Sequence, residues 1–353
     1  IDQFESLEVF FVAYNDLVGS IPEQVYHMRN VKRLALNNNG LTGTISNSLG
    51  DLKELRYAYM HENLLEHTIP ASIGNLSYLL FMTLFENKLT GTLPSTFNQL
   101  TNLRSIAFDT NFLTGSIPSE LGECSYLEEL NLYVNMLTGT IPENFAQLQH
   151  LQLLLIDNNH LTGNPGSAFN RTAQSMLLSV DISMNKFEGT LPDAIFGKQL
   201  LSFSSFQTCF SGRIPKSICD SRHLESLVLD GITSQCSKKI WPWVPGSPRT
   251  AHEVLGSIPD CIWSLPNITT LHLSSNALSG TIPALQSYGN LTDLDLSFNL
   301  LSGSVPETLQ SWPSLRNLNL QSNRFCGEIT STGKLNFAYH DGEFWTTLKL
   351  SEN

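Results

Sequence analysis

The stretch Leu130 to Pro142, LNLYVNMLTGTIP, decides the fold because it recurs. It returns as LALNNNGLTGTI from Leu34, as MTLFENKLTGTLP from Met82 and as IAFDTNFLTGSIP from Ile106. Asn15, Asn39, Asn63, Asn87, Asn111, Asn135 and Asn159 follow one another at a uniform spacing of 24 residues. Asn185 comes after 26, and Asn276, Asn299, Asn323 and Asn353 continue the series, with Thr208 and Ile232 standing at two of its positions. This amounts to fourteen strand segments, with a degenerate one near His252. A fixed period of this length means one small unit stacked on copies of itself.

Each position in the unit has a physical reason. Apolar residues stand eight, five and three before the asparagine, as Leu127, Leu130 and Leu132 do before Asn135. The last two alternate with polar neighbours, which is the pattern of a short strand with one face in and one face out. The asparagine is expected to turn inward, where its amide can satisfy backbone groups left unpaired by a tight bend. The glycine four residues later, such as Gly139, allows the backbone of the next turn. The following Ile141-Pro142 gives one buried side chain and one fixed φ. One such unit cannot bury its own apolar face, so neighbours must stack.

Composition agrees and excludes some alternatives. The 353 residues are 41% hydrophobic and 15% charged, enough apolar material for a folded core. The net charge is −12, the wrong sign for a protein that grips a phosphate backbone, so no nucleic acid is expected. Residues Ile1 to Phe11 lack the features of a signal peptide, and stretches such as Leu151 to Ile156 are too short to span a bilayer. Any membrane attachment would come through segments outside this chain. No C-x-x-C, H-E-x-x-H, Walker loop, G-x-G-x-x-G or G-x-S-x-G occurs. Asp293 and Asp295 share one strand face but belong to the repeat's own LDLS. No catalytic residue, metal or cofactor is therefore expected, and the chain is read as no enzyme in itself.

The pattern L-x-x-L-x-L-x-x-N-x-L-[TS]-G-x-[IL]-P resembles the plant-type leucine-rich repeat, and the resemblance covers Leu7 to Asn353. It implies an α/β repeat fold: a leucine-rich-repeat solenoid, curved as a right-handed superhelix. A parallel sheet would line its concave face and short turns or 3-10 segments its convex face. It implies a ligand- or protein-binding role in a receptor-like or secreted recognition protein, extracellular or at the cell surface. The partner would be a peptide or protein ligand, with a co-receptor as a further partner. An intracellular scaffold built on the same solenoid is the alternative, and a kinase attached in the full-length protein is compatible with either. The array starts one strand into a repeat and stops at Asn353 without cysteine-paired capping units, so it reads as truncated at both ends. The expected organisation is repeats 1–10 over residues 1–232, an insertion over 233–255, and further repeats over 256–353.

The insertion shows in the glycines: Gly212 and Gly256 are 44 residues apart, and Gly280 follows at 24. The extra residues are Pro- and Ser-rich, basic, and carry Trp241 and Trp243. They read as a surface loop with an aromatic plug, or resemble the island insertions with which some receptor ectodomains hold a ligand. A disulfide between Cys236 and Cys261 would staple the base of this loop, and Cys209 with Cys219 is the second candidate pair. Cys124 sits where the family often has a buried free cysteine.

Residues six, four and two before each asparagine should point out of the strand face. From the eighth repeat on they are mostly small and polar, as in Ser179, Asp181, Ser183 and Asn317, Asn319, Gln321. In the first seven repeats they include Phe11, Tyr57, Tyr59, His61, Phe81, Phe85, Tyr133, Leu153 and Leu155, rimmed by Glu62, Glu86, Asp109, Glu129 and Asp157. Large apolar side chains that the repeat does not need mark an interaction surface. They also read as aromatics packing on one another along the sheet. As a site, they suit a peptide or protein with apolar anchors and some positive charge. Sequons at Asn75, Asn170, Asn267 and Asn290 are the expected glycosylation sites of a secreted chain.

Overall fold

Alternation of two buried leucines around one outward residue leaves room for only a very short strand, and such strands recur throughout. The structure is a computed structural model. It describes residues 6–231, 254–284, 289–310 and 312–327, together with the backbone of a strand at Thr347–Lys349. The chain divides into two units, Ile1–Leu177 and Leu178–Asn353.

The first unit carries one three-residue strand per repeat: β1 (Val9–Phe11), β2 (Arg33–Ala35), β3 (Tyr57–Tyr59), β4 (Phe81–Thr83), β5 (Ser105–Ala107), β6 (Glu129–Asn131) and β7 (Leu153–Leu155). They pair in parallel and in register, so that Val9, Arg33, Tyr57, Phe81, Ser105, Glu129 and Leu153 form one row across the sheet. From β2 onward the middle residue of each strand is buried, including Leu34, Ala58, Met82, Ile106, Leu130 and Leu154. The strand's outer residues are thereby presented on the opposite face.

After each Ile-Pro a short 3-10 segment closes the core from the other side, as Glu143–Gln147 does by burying Phe145 behind Pro142. Neighbouring segments pack so closely that a Cβ at Gly122 would lie 2.4 Å from the Asn144 side chain. At Gly139 φ is +79°, a left-handed conformation that favours glycine. The third repeat adopts the same turn with His67 at φ 66°.

The asparagines do the work expected of them. Asn135 Oδ1 accepts from the Leu113 amide at 3.0 Å. Its Nδ2 donates to the carbonyls of Phe108 at 3.1 Å, Leu132 at 3.1 Å and Tyr133 at 3.3 Å. One side chain thus ties its own turn to the preceding repeat. The residue before each asparagine takes the left-handed turn, with φ 49° even at the β-branched Val134.

The second unit repeats the plan with β8 (Ser179–Asp181), β9 (Ser202–Ser204), β10 (Ser226–Val228), β11 (Thr270–His272), β12 (Asp293–Asp295), β13 (Asn317–Asn319) and β14 (Thr347–Lys349). These too are parallel and in register. β10 pairs directly with β11, so the repeats on either side of the extra residues are neighbours in the sheet. Thr208 replaces the asparagine with a weaker contact, its hydroxyl 3.3 Å from that of Ser205.

The disulfide pairing differs from the sequence expectation. Cys261 is bonded to Cys219, not to Cys236. Cys219 lies on the 3-10 segment Lys216–Asp220 and Cys261 on the next one, Asp260–Ser264, which brings their Cα atoms to 5.6 Å. That is bonding distance, and it also removes Cys219 as a partner for Cys209. Cys209 is itself disulfide-bonded. Cys236, Trp241 and Trp243 lie outside the described residues. Cys124 is free and buried, its thiol 3.3 Å from the Phe97 carbonyl and pushed up to about 12 by burial.

Candidate ligand-binding face

Register turns the variable positions of the first unit into three rows. β3 and β4 fill adjacent places in these rows with rings. Tyr57 stacks on Phe81, centroids 5.5 Å apart and planes 6° apart. Tyr57 and Tyr59 are 6.3 Å apart along their strand, and Tyr59 meets His61 edge-on at 6.5 Å. His61 stacks on Phe85 at 4.2 Å. All five are half-buried, so each keeps a ring surface open to solvent. The result is a continuous aromatic shelf two strands wide. The Arg33 guanidinium lies over the outer side of Tyr57, 4.8 Å from its centroid. Burial, Tyr57 and, in the opposite sense, Arg33 together push the Tyr59 hydroxyl up.

β5 breaks the shelf. Its outward residues Ser105 and Ala107 are small, and Ser105 is only 6% exposed between its neighbours. Asp109, expected as an exposed rim acid, is 3% exposed. The next repeat reaches it: the Tyr133 hydroxyl donates to the Asp109 carboxylate. Burial holds the Asp109 carboxyl above the usual range, against the hydrogen bonds from Tyr133 and Thr110. Burial, the bond to Asp109 and the charges of Asp109, Asp157 and Glu86 push the Tyr133 hydroxyl to about 12.

The remaining expected residues are spread more widely. Glu129 is exposed and its Oε2 accepts from the Ser105 hydroxyl at 2.9 Å. Phe11 is 57% exposed on β1 and separated from Tyr59 by Ala35, so it stands apart from the shelf. Leu153, Leu155 and Asp157 are half-buried on and after β7, beyond β5 and β6. Glu62 accepts from the Asn38 amide. Sequence reasoning did not single out Arg33 and Ser105, although their places six before an asparagine put them in the same row, and Asn131 lies in the next one. Asn131 Oδ1 is buried with no donor.

The sequons differ in access. Asn75 and Asn170 are exposed. Asn290 is exposed while its Nδ2 donates to the Pro266 carbonyl at 3.0 Å, and Asn267 is half-buried with Nδ2 3.3 Å from the Arg222 carbonyl. Among the described residues no group of three His, Cys, Asp or Glu could hold a metal, and no helix is long and apolar enough to cross a membrane.

The sequence model of the Leucine Rich Repeat family matches residues 30–52, 126–148, 267–286 and 290–312. No curated relative matches. Among solved structures the chain is similar to PEPR1–AtPEP1, with TM-score 0.74 and 28% identity over 93% of this chain and 50% of that one. It is similar to the LRR ectodomain of the plant membrane receptor kinase GASSHO1/SCHENGEN3 from Arabidopsis thaliana, in complex with CASPARIAN STRIP INTEGRITY FACTOR 2. There the TM-score is 0.66 at 28% identity, over 89% of this chain and 41% of that one. The plant peptide hormone receptor RGFR1 in complex with RGF2 gives TM-score 0.57 and 26% identity over 92% and 60%. The chain spans about half the length of these solved chains. The stacked parallel strands, the asparagine ladder, the four matched repeats and these likenesses describe a leucine-rich-repeat fold similar to that of plant receptor ectodomains, a binding module rather than a catalytic one.

Proposed function

We propose that this chain is part of the extracellular region of a receptor-like or secreted recognition protein, and that it binds a peptide on the strand face of its first unit. The observation that carries this reading is the aromatic shelf of Tyr57, Tyr59, His61, Phe81 and Phe85. The repeat does not need rings there, since β12 and β13 fill the same rows with Asp and Asn. Rings held in place by one another offer large contact area at little further entropy cost. Complexes of related ectodomains, including a peptide hormone receptor, support a peptide as the ligand class. The Cys219–Cys261 bond and the exposed sequons at Asn75 and Asn290 support an oxidising, extracellular setting.

The test uses random linear peptides displayed on phage, selected on the folded chain and then synthesised. Replacing Tyr57, Tyr59, Phe81 and Phe85 together with Ser should weaken the selected peptides more than about a hundredfold while the melting temperature stays put. Unchanged affinity in a folded variant overturns the site. For the setting, mass analysis of Asn75 and Asn290 should find glycans on protein from its native source, and bare asparagines would favour the intracellular scaffold.

A further inference from the structure

The row that carries Phe81 and Glu129 passes through Ser105 between them, and the next row passes from Thr83 through Ala107 to Asn131. Two small residues therefore stand between larger neighbours on both sides. With strands about 4.8 Å apart, the gap from β4 to β6 is about 10 Å, the width of one extended side chain lying between two walls. One wall is aromatic, Phe81 and Phe85. The other is polar: Glu129, Asn131 and Tyr133.

The two hydroxyls along this trough, of Ser105 and Tyr133, already donate to Glu129 and Asp109, which leaves mainly acceptor oxygens open. Glu129 takes one hydrogen bond, from Ser105, on Oε2. Asp109 forms the buried end, and Glu86 stands close enough to raise the pKa values of Asp109, Tyr133 and His61 through its charge. Asn131 Oδ1 is buried and lacks a donor. Ion pairs in the first unit include Lys32–Glu8, His67–Glu66 and Arg104–Glu128. None of them uses Glu86, Asp109 or Glu129. Arg33 is committed to Tyr57, on the far side of the shelf. A concentration of acceptors beside an aromatic wall, with no resident cation, is complementary to a positively charged group with several N–H donors.

We propose that the trough over Ser105 and Ala107 receives a basic side chain of the peptide ligand, its guanidinium or ammonium held by Glu129 and the Asn131 carbonyl oxygen, with Glu86 adding negative charge at the other end of the trough. This rests on the reading that the strand face is a peptide site. Arg fits better than Lys, because a planar guanidinium can lie against Phe81 or Phe85 while donating to carboxylates on the other side. The ligand's apolar anchors then occupy the neighbouring shelf. Arg33 at the opposite edge disfavours a second basic group there, so charge gives the bound peptide a direction.

The experiment takes the peptides selected on the folded chain and replaces each arginine by citrulline, or each lysine by acetyl-lysine, removing charge at similar size. Calorimetry compares these pairs on the wild-type chain and on the Glu86→Gln, Glu129→Gln double variant. The expected result is a basic residue shared by the selected peptides and a loss of about tenfold or more when its charge is removed. On the double variant the two forms of the peptide should bind almost alike. Peptides that lack a common basic residue, or that ignore the citrulline change while failing on the serine variant of the shelf, overturn this inference and leave the aromatic site standing. Absence of any selected peptide removes both readings. If the double variant does not fold, the citrulline comparison on the wild-type chain decides alone.

Discussion

The His61 imidazole lies flat on the Phe85 ring, centroids 4.2 Å apart and planes 15° apart, while its Nδ1 meets the Thr83 hydroxyl at 2.6 Å. Burial lowers the imidazole pKa and the nearby Glu86 opposes that shift only in part. The unfolded chain thus takes up a proton at the usual value, about 6.5, before the folded chain does. Stability from this group is fully present above that value and is lost as pH falls through the folded pKa. Between about pH 7 and pH 5, wild type should lose more stability than a His61→Gln variant, read as the urea midpoint at each pH. Parallel curves would mean that His61 titrates as if exposed.

Asp109 has the opposite sign. Burial raises its pKa, so the folded chain holds a proton where the unfolded chain has released it. Its contribution is present below the usual carboxylate value and is lost as pH rises through the folded pKa. Asp109→Asn keeps an acceptor for the Tyr133 hydroxyl and removes the buried charge. The variant should melt at least as high as wild type at neutral pH, and the gap should close on acidification. A lower melting temperature at neutral pH would show that the charge itself holds Tyr133 in place.

Asn111 makes four hydrogen bonds that the unit cannot replace. Oδ1 accepts from the Leu89 amide at 3.0 Å, and Nδ2 donates to the carbonyls of Leu84, Phe108 and Asp109 at 3.0, 3.2 and 3.0 Å. Asn111→Ala leaves the buried Leu89 amide without its acceptor and takes one of two donors from each of these carbonyls, at about 3 kcal/mol. Asn15, in the first repeat, is exposed and donates only to the carbonyls of Val12 and Ala13. Asn15→Ala should therefore cost under about 0.5 kcal/mol. Chemical denaturation of both variants compares them directly, and equal costs would refute the ladder as the source of the difference.

The contrast explains how far the sequence can be read. Strand, asparagine and glycine positions are legible because each answers a need inside one repeat, such as the left-handed turn at Gly139. The shelf is half legible: Tyr57 and Phe81 could be named from their distance to the next asparagine, and parallel register then stacks them. Asp109 is buried rather than on the rim, and it is engaged by a side chain in the following repeat, Tyr133, whose reach no spacing encodes. Ser105 is not legible as part of a site because a small residue looks like filler until its neighbours are known. The disulfide was missed for a related reason. The extra residues hide the fact that Cys219 and Cys261 stand in successive repeats, seven after Gly212 and five after Gly256.

That bond is the last feature open to direct test. Cys219 and Cys261 are 42 residues apart in sequence and join neighbouring 3-10 segments across the point where β10 passes to β11. Closing a loop of that length restricts the unfolded chain and stabilises the fold by about 4 kcal/mol on the chain-entropy estimate. Without the bond, the two repeats are joined by the β10–β11 pairing and by contacts such as Asn276 Nδ2 to the Leu229 carbonyl at 2.9 Å. The Cys219→Ser, Cys261→Ser variant should melt lower, and hydrogen exchange should rise first at the Leu229 amide, which donates to His272, and at Gly231, which donates to Ser274. Amides of the first unit, such as Leu113 bonded to Asn135, should keep their protection. Uniform loss of protection along the chain would place the bond's effect on the array as a whole, and unchanged exchange at Leu229 and Gly231 would refute its role in holding the repeats on either side of the insertion.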